Sequence, residues 1–160
     1  MLFRSQTRNL TFDLSSATLY AIGLEAAVEE LAEDFAQEYG FKLYFRSDQL
    51  PKELTESVKI LLYRTVRELL INIAKHSSAR NVYIDIKKLR KDLKIVVKDD
   101  GIGFDAVKSE DIKGKLKGFG LFSLRERLAN INGIISIKSE SGAGTTIQLT
   151  VPLKEIEGEL

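Results

Sequence analysis

The alternation at Leu93, Ile95, Val97 and Asp99 constrains this chain more than any other feature. Successive side chains of an extended strand point to opposite faces, so these four share one face. Three are apolar and the fourth is a carboxylate. Val82, Ile84 and Ile86 show the same spacing upstream, across a charged turn at Lys88 to Asp92, and residues 82–99 read as a hairpin with one apolar face. A second hairpin is predicted from Ile135 and Ile137, a turn at Ser141 to Gly144, and Ile147, Leu149 and Val151. A sheet apolar on one face needs a covering layer. Helical spacing supplies it at Leu24, Ala27, Val28, Leu31 and Phe35, within residues 10–38, read as two helical pieces. It recurs at Val58, Leu62, Val66, Leu69 and Ile73, in a helix predicted over about 53–75 and opened by Pro51, and at Leu121, Leu124, Leu128 and Ile131, ended by Asn132-Gly133. Phe41 to Phe45 alternates as a short strand, and residues 100–119, glycine-rich and without apolar period, read as a long loop of the functional or mobile kind. The expected fold is α/β, a two-layer sandwich in which helices cover one face of a mixed, mostly antiparallel sheet.

Composition closes off several chemistries. A chain of 160 residues suits one domain. There is no cysteine, which excludes disulfides, thiolate nucleophiles, iron–sulfur clusters and cysteine zinc sites. His76 is the only histidine, so a multi-histidine metal site is excluded as well. With 24 Lys+Arg against 23 Asp+Glu the net charge is +1, and neither nucleic acid nor direct membrane contact is expected. No apolar run approaches the ~18 residues that span a bilayer, and Met1-Leu2-Phe3-Arg4 does not open a signal peptide. A cytoplasmic location is expected, as a soluble protein or the soluble part of a larger one.

Three groups of residues carry candidate chemistry. On the long helix, at ~100° per residue, Glu68 taken as 0° puts Lys75 near about −20°, Asn72 near about 40° and His76 near about 80°. A carboxylate, an amide, an ammonium and an imidazole on one edge are suited to a Mg²⁺–phosphate site, and equally to a solvated helix face. The second group is Asp99, pointed inward by parity while Asp100 points away. A buried carboxylate needs donors. Gly101 and Gly103 follow, leaving room for a flat ligand, and Thr145 shares the inward parity of Ile147, Leu149 and Val151. The alternative is an aspartate capping a turn. The third is the junction Lys117-Gly118-Phe119-Gly120-Leu121, where free amides at a helix start favour anions, with Lys113 and Lys115 nearby. It has neither the P-loop spacing nor a convincing dinucleotide fingerprint, and a flexible lysine-rich loop reads equally well.

In order along the chain, RELLINIAKHSSA resembles the asparagine box of histidine kinases, VVKDDGIGFD their Asp-x-Gly-x-Gly box, KGFGLFSLRERL their second glycine box, and SGAGTTIQLTVP their closing Gly-x-Gly-Thr hairpin. The resemblance covers roughly residues 20–153 and is to the ATPase superfamily shared by gyrase, the heat-shock chaperone, histidine kinases and MutL. The Lys-His after the asparagine, the Ser-Leu-Arg-Glu-Arg helix and the short lid resemble the nitrate-sensor/DesK-like branch of sensor kinases.

That resemblance implies a Bergerat-type ATP-binding fold, with ATP and Mg²⁺ as cofactors. It implies that Asn72 ligates Mg²⁺, that Glu68 acts as base or orients the incoming group, and that Lys75 and His76 face the phosphates. Asp99 would accept from the adenine amino group with Thr145 in support, and Gly101 and Gly103 would lie against the base. Lys117, Gly118, Phe119, Gly120 and Leu121 would embrace the triphosphate, while Arg125 or Arg127 reaches phosphate or stays solvated. It further implies a catalytic domain at residues 21–154, a remnant of a dimerisation or linker helix at 1–20 and a tail at 155–160. The phosphoacceptor histidine would lie on a separate dimerisation domain, with a response regulator downstream. His76 is followed by Ser77 rather than an acid, so the chain is expected to bind Mg·ATP without phosphorylating itself. Two alternatives stay open: an anti-sigma-factor-type serine kinase of the same superfamily, and a nucleotide-binding module without transfer activity.

Overall fold

The computed structural model describes residue 17, residues 19–105 and residues 120–154. Helix α1, Leu24–Tyr39, follows Gly23. It turns Leu24, Ala27, Val28, Leu31 and Ala32 to the core and stops at Gly40, whose left-handed backbone (φ 79°) lets its N–H reach the Ala36 carbonyl at 2.9 Å. Strand β1 is Lys42–Ser47.

Helix α2, Glu56–Asn72, starts later than expected from Pro51. The reason is local. Thr55 stays extended and its hydroxyl accepts the Val58 N–H at 3.3 Å, so the helix begins after this cap. The far end also differs, because Ile73–Ser77 continues as a wider π turn. Within it the Ser77 hydroxyl donates to the Ile73 carbonyl at 2.8 Å.

Strands β2, Asn81–Leu89, and β3, Asp92–Asp99, form the expected hairpin. Helix α3, Leu121–Ala129, leads to β4, Ile134–Ser139, and β5, Thr145–Pro152. The sheet order is β1-β2-β3-β5-β4. Only β1 and β2 run parallel, as a crossover through α2 requires, and the other three pairings are antiparallel. The fold is therefore the mixed α/β sandwich that the sequence implied.

Alternation decides which face is covered. Val82, Ile84, Ile86, Leu93, Ile95, Val97, Leu149 and Val151 are buried, in one core with Leu62, Val66, Leu69 and Leu70 of α2 and Leu124 and Leu128 of α3. On the opposite face Tyr44 and Tyr83, paired in register, stack with ring centroids 4.7 Å apart and remain exposed among the described residues. Among the described residues no helix is long and apolar enough to cross a membrane.

Candidate functional site

Strand β3 carries Asp99 inward at its last position, only 4% exposed. Its Oδ1 accepts the Gly101 N–H at 2.9 Å. Burial pushes the carboxyl pKa up; the Gly101 N–H draws it back, the neighbouring Asp100 charge adds to the rise, the Thr145 N–H draws it back further, and the net direction is upward. Asp100 faces the other way. Its Oδ1 accepts the Arg80 and Asn81 amides at 2.8 and 2.9 Å, and its Oδ2 accepts the Asn81 side-chain amide at 2.7 Å. The Asn81 side chain and backbone together hold the Asp100 pKa below the usual carboxylate range.

The glycines around Asp99 serve close backbone packing. A Cβ on Gly101 would lie 2.1 Å from the Ser77 carbonyl oxygen, one on Gly103 2.1 Å from that of Glu140, and one on Gly144 2.2 Å from that of Asp99. Room for a flat ligand was the expected reason at Gly101 and Gly103; the space beside each is instead filled by main chain, and only Gly103 of the two lines the cavity described next. Hydrogen bonds pin the same loop: Ile102 N–H to the Ser77 carbonyl and Gly142 N–H to the Ile102 carbonyl, both 2.7 Å.

A cavity opens between the end of α2, its π turn, the inner ends of β3 and β5 and the start of α3. Asn72, His76, Asp99, Gly103, Leu121 and Thr145 line it, joined by apolar walls from Leu69, Ile73, Val97, Ile102, Phe104 and Ile147. Six of the residues singled out from sequence thus meet around one space, from positions 72 to 145. Gly101 lies just behind, against Ser77.

Glu68 and Lys75 do not line this cavity. Lys75 is exposed in the π turn. The helical wheel already sets it on the Glu68 side, away from Asn72 and His76, which do line the cavity. Glu68 is gripped by Arg127 of α3, Nη1 to Oε1 at 3.0 Å and Nη2 to Oε2 at 3.1 Å. Gly120, at φ 69°, opens α3 beside the same carboxylate: a Cβ there would lie 3.9 Å from Glu68 Oε2. Lys117, Gly118 and Phe119, with Lys113 and Lys115, lie outside the described residues.

Sequence reasoning passed over Ser139. Its hydroxyl lies 2.8 Å from that of Thr145, donates to the Gly144 carbonyl at 3.1 Å and accepts the Phe104 N–H at 2.9 Å. The signal was present: Ser139 follows Ile135 and Ile137 at the same parity, a polar residue ending an apolar run as Asp99 does.

For a divalent cation the chain offers the Asn72 side chain at the cavity edge; among the described residues no three His, Asp or Glu side chains are grouped to hold a metal. An amide oxygen is a hard donor of the kind Mg²⁺ takes beside waters and substrate phosphates.

Residues 57–155 match the family of histidine kinase-, DNA gyrase B- and HSP90-like ATPases. The chain belongs to this family. It is 28% identical over 149 residues to the signal transduction histidine-protein kinase/phosphatase DegS of Brevibacillus brevis, covering 93% of this chain and 37% of that protein. It is 29% identical over 148 residues to the oxygen sensor histidine kinase NreB of Staphylococcus carnosus, covering 92% of this chain and 42% of that protein. The chain thus spans about two-fifths of the length of these relatives. In fold it is similar to the histidine kinase domain of the Erythrobacter litoralis EL346 blue-light activated kinase (TM-score 0.65, 19% identity, 81% of this chain and 61% of that one).

Proposed function

We propose that this ATPase-family chain is the ATP-binding catalytic part of a sensor histidine kinase of the nitrate-sensor/DesK-like branch. The observation that carries the reading is Asp99: a buried carboxylate at the inner end of a strand, facing an apolar cavity that Asn72 and His76 edge from the facing helix. Apolar walls from Ile73, Ile102 and Leu121 suit the faces of a purine. A carboxylate among them accepts from an exocyclic amino group, and guanine presents a carbonyl at the place where adenine has its amine. ATP is therefore expected to bind in preference to GTP.

In this reading Asn72 holds Mg²⁺ through its amide oxygen, together with the nucleotide's phosphates. Bound Mg²⁺ would neutralise charge on the β- and γ-phosphates during transfer. Lys75 and His76 face the phosphates, Lys117 adds positive charge, and Gly118, Phe119, Gly120 and Leu121 supply amides. Thr145, braced by Ser139, supports Asp99. Glu68 orients the incoming imidazole or takes its proton. That histidine belongs to a separate dimerisation domain, and a response regulator receives the phosphoryl group afterwards. Residues 21–154 form the catalytic unit, and the unit works in the cytoplasm.

Calorimetric titration of the chain with ATP and GTP, each with and without Mg²⁺, tests the reading, followed by γ-labelled ATP with a histidine-bearing dimerisation domain added in trans. The expected result is Mg²⁺-dependent binding of ATP over GTP, with label on the added domain and none on His76. Equal affinity for the two nucleotides removes the role given to Asp99, and label on His76 removes the division of labour.

A further inference from the structure

Arg127 and Glu68 lie 59 residues apart in sequence, on different helices, yet meet as a two-pronged pair. The guanidinium is itself oriented, since its Nε donates to the Ser123 carbonyl of its own helix at 3.3 Å. The arginine is therefore held on three sides, and the carboxylate on both oxygens. A glutamate side chain has three rotatable bonds, and a group that aligns a nucleophile must be kept near one geometry to be effective. The pair is partly exposed, at 38% and 36% of the two side chains, and its two-pronged geometry fixes the orientation of the carboxylate as well as pairing its charge.

We propose that Arg127 is the positioning residue for Glu68, fixing the carboxylate so that loss of the γ-phosphoryl group depends on the guanidinium fork while nucleotide binding does not. This rests on the reading above, in which Glu68 aligns the group that attacks the γ-phosphate. The fork, not the charge, is the requirement. Lysine carries the same charge on a single ammonium and does not grip both oxygens. Arg127→Lys is thus the discriminating substitution.

The test uses the whole chain with Mg·ATP, water serving as the acceptor. Calorimetry gives the affinity, and single-turnover release of labelled phosphate gives the rate. Arg127→Lys and Arg127→Ala should bind Mg·ATP within about threefold of wild type and release phosphate about 10- to 100-fold more slowly. Arg127→Lys combined with Glu68→Gln should be no slower than Glu68→Gln alone, because the two residues act through one group. A wild-type rate in Arg127→Lys overturns the proposal, as do additive losses in the double variant. An affinity loss equal to the rate loss also overturns it, since the arginine would then be a nucleotide ligand. A wild-type chain that binds Mg·ATP and releases no phosphate leaves Glu68 nothing to align and overturns the proposal alone. Failure of the wild type to bind Mg·ATP overturns both this proposal and the reading beneath it.

Discussion

Asp99 and Asp100 are adjacent in the chain and do opposite work. Asp99 is buried, with its carboxylate taking the Gly101 N–H and its pKa raised; Asp100 is exposed, with its carboxylate clasping the Arg80 and Asn81 amides and its pKa lowered. The alternation of a strand separates them. The clasp ties the end of β3 to the start of β2, and so helps hold Asp99 at the cavity.

Asp99→Asn should trade affinity for stability. The raised pKa means that ionised Asp99 costs the folded state free energy above the unfolded carboxylate's pKa, a cost that disappears as pH falls and the group protonates. The amide carries no charge and still accepts from Gly101. Its melting temperature at pH 7 should exceed that of wild type, with the difference shrinking toward pH 3. ATP affinity should fall about 10- to 100-fold, since an amide can present a donor where the base needs an acceptor. Thermal melts across pH and calorimetry check the two halves separately.

Asp100→Ala should loosen the clasp without touching the cavity lining. Three hydrogen bonds between 2.7 and 2.9 Å are lost at an exposed site, for a destabilisation of about 1 kcal/mol. Amide exchange should quicken at Arg80 and Asn81 ahead of the rest of the sheet. Exchange unchanged at those two amides would show that the clasp does not hold the strand ends.

Gly144→Ala should be far worse. The new Cβ would sit 2.2 Å from the Asp99 carbonyl oxygen at a residue with φ +79°, so both main-chain segments must move. A loss of about 3 kcal/mol or more in urea unfolding is expected, with weaker ATP binding because Asp99 shifts. Gly142→Ala, equally left-handed at φ +83° but with nothing within 4 Å, isolates the backbone part and should cost about 1 kcal/mol.

Asn72→Ala should abolish the Mg²⁺-dependent part of ATP binding while the circular dichroism and the melting temperature stay near wild type. The amide is only half-buried at the cavity edge, so its loss leaves the apolar core of α2 intact. Unchanged affinity with and without Mg²⁺ would remove the metal role.

Acid should act through Asp48. Burial raises its pKa, but the Lys52 ammonium and the Lys88 and Leu50 amides outweigh that and bring it to about 2, against an ordinary 3.8. A folded pKa below the unfolded one gives stability that is complete above pH 3.8 and lost as pH falls toward 2. Asp48→Asn should therefore be less stable than wild type by about 1 kcal/mol at pH 7, after allowance for solvent screening, and equal to it near pH 2. Urea midpoints at pH 7, 4 and 2.5 measure the convergence.

Much of this protein is legible in its sequence. The hairpins, the covering helices, the inward Asp99 and the outward Asp100 all follow from period-2 and helical spacing, because the same pattern that sorts apolar from polar side chains also assigns them to faces. Asn72, His76, Asp99 and Thr145 could each be named from local pattern. Their meeting around one cavity could not, since it depends on the order β1-β2-β3-β5-β4, which puts β5 beside β3 and brings Thr145 next to Asp99. The π turn was hidden as well: helical spacing reads one continuous helix to about residue 75, whereas the chain widens over Ile73–Ser77. Nor did spacing along the chain disclose that Gly101 and Gly144 are filled by neighbouring main chain or that Arg127 grips Glu68. Side-chain period is a property of each segment and survives in the sequence; which segments touch is set by the packing of the whole core, and only the folded molecule displays it.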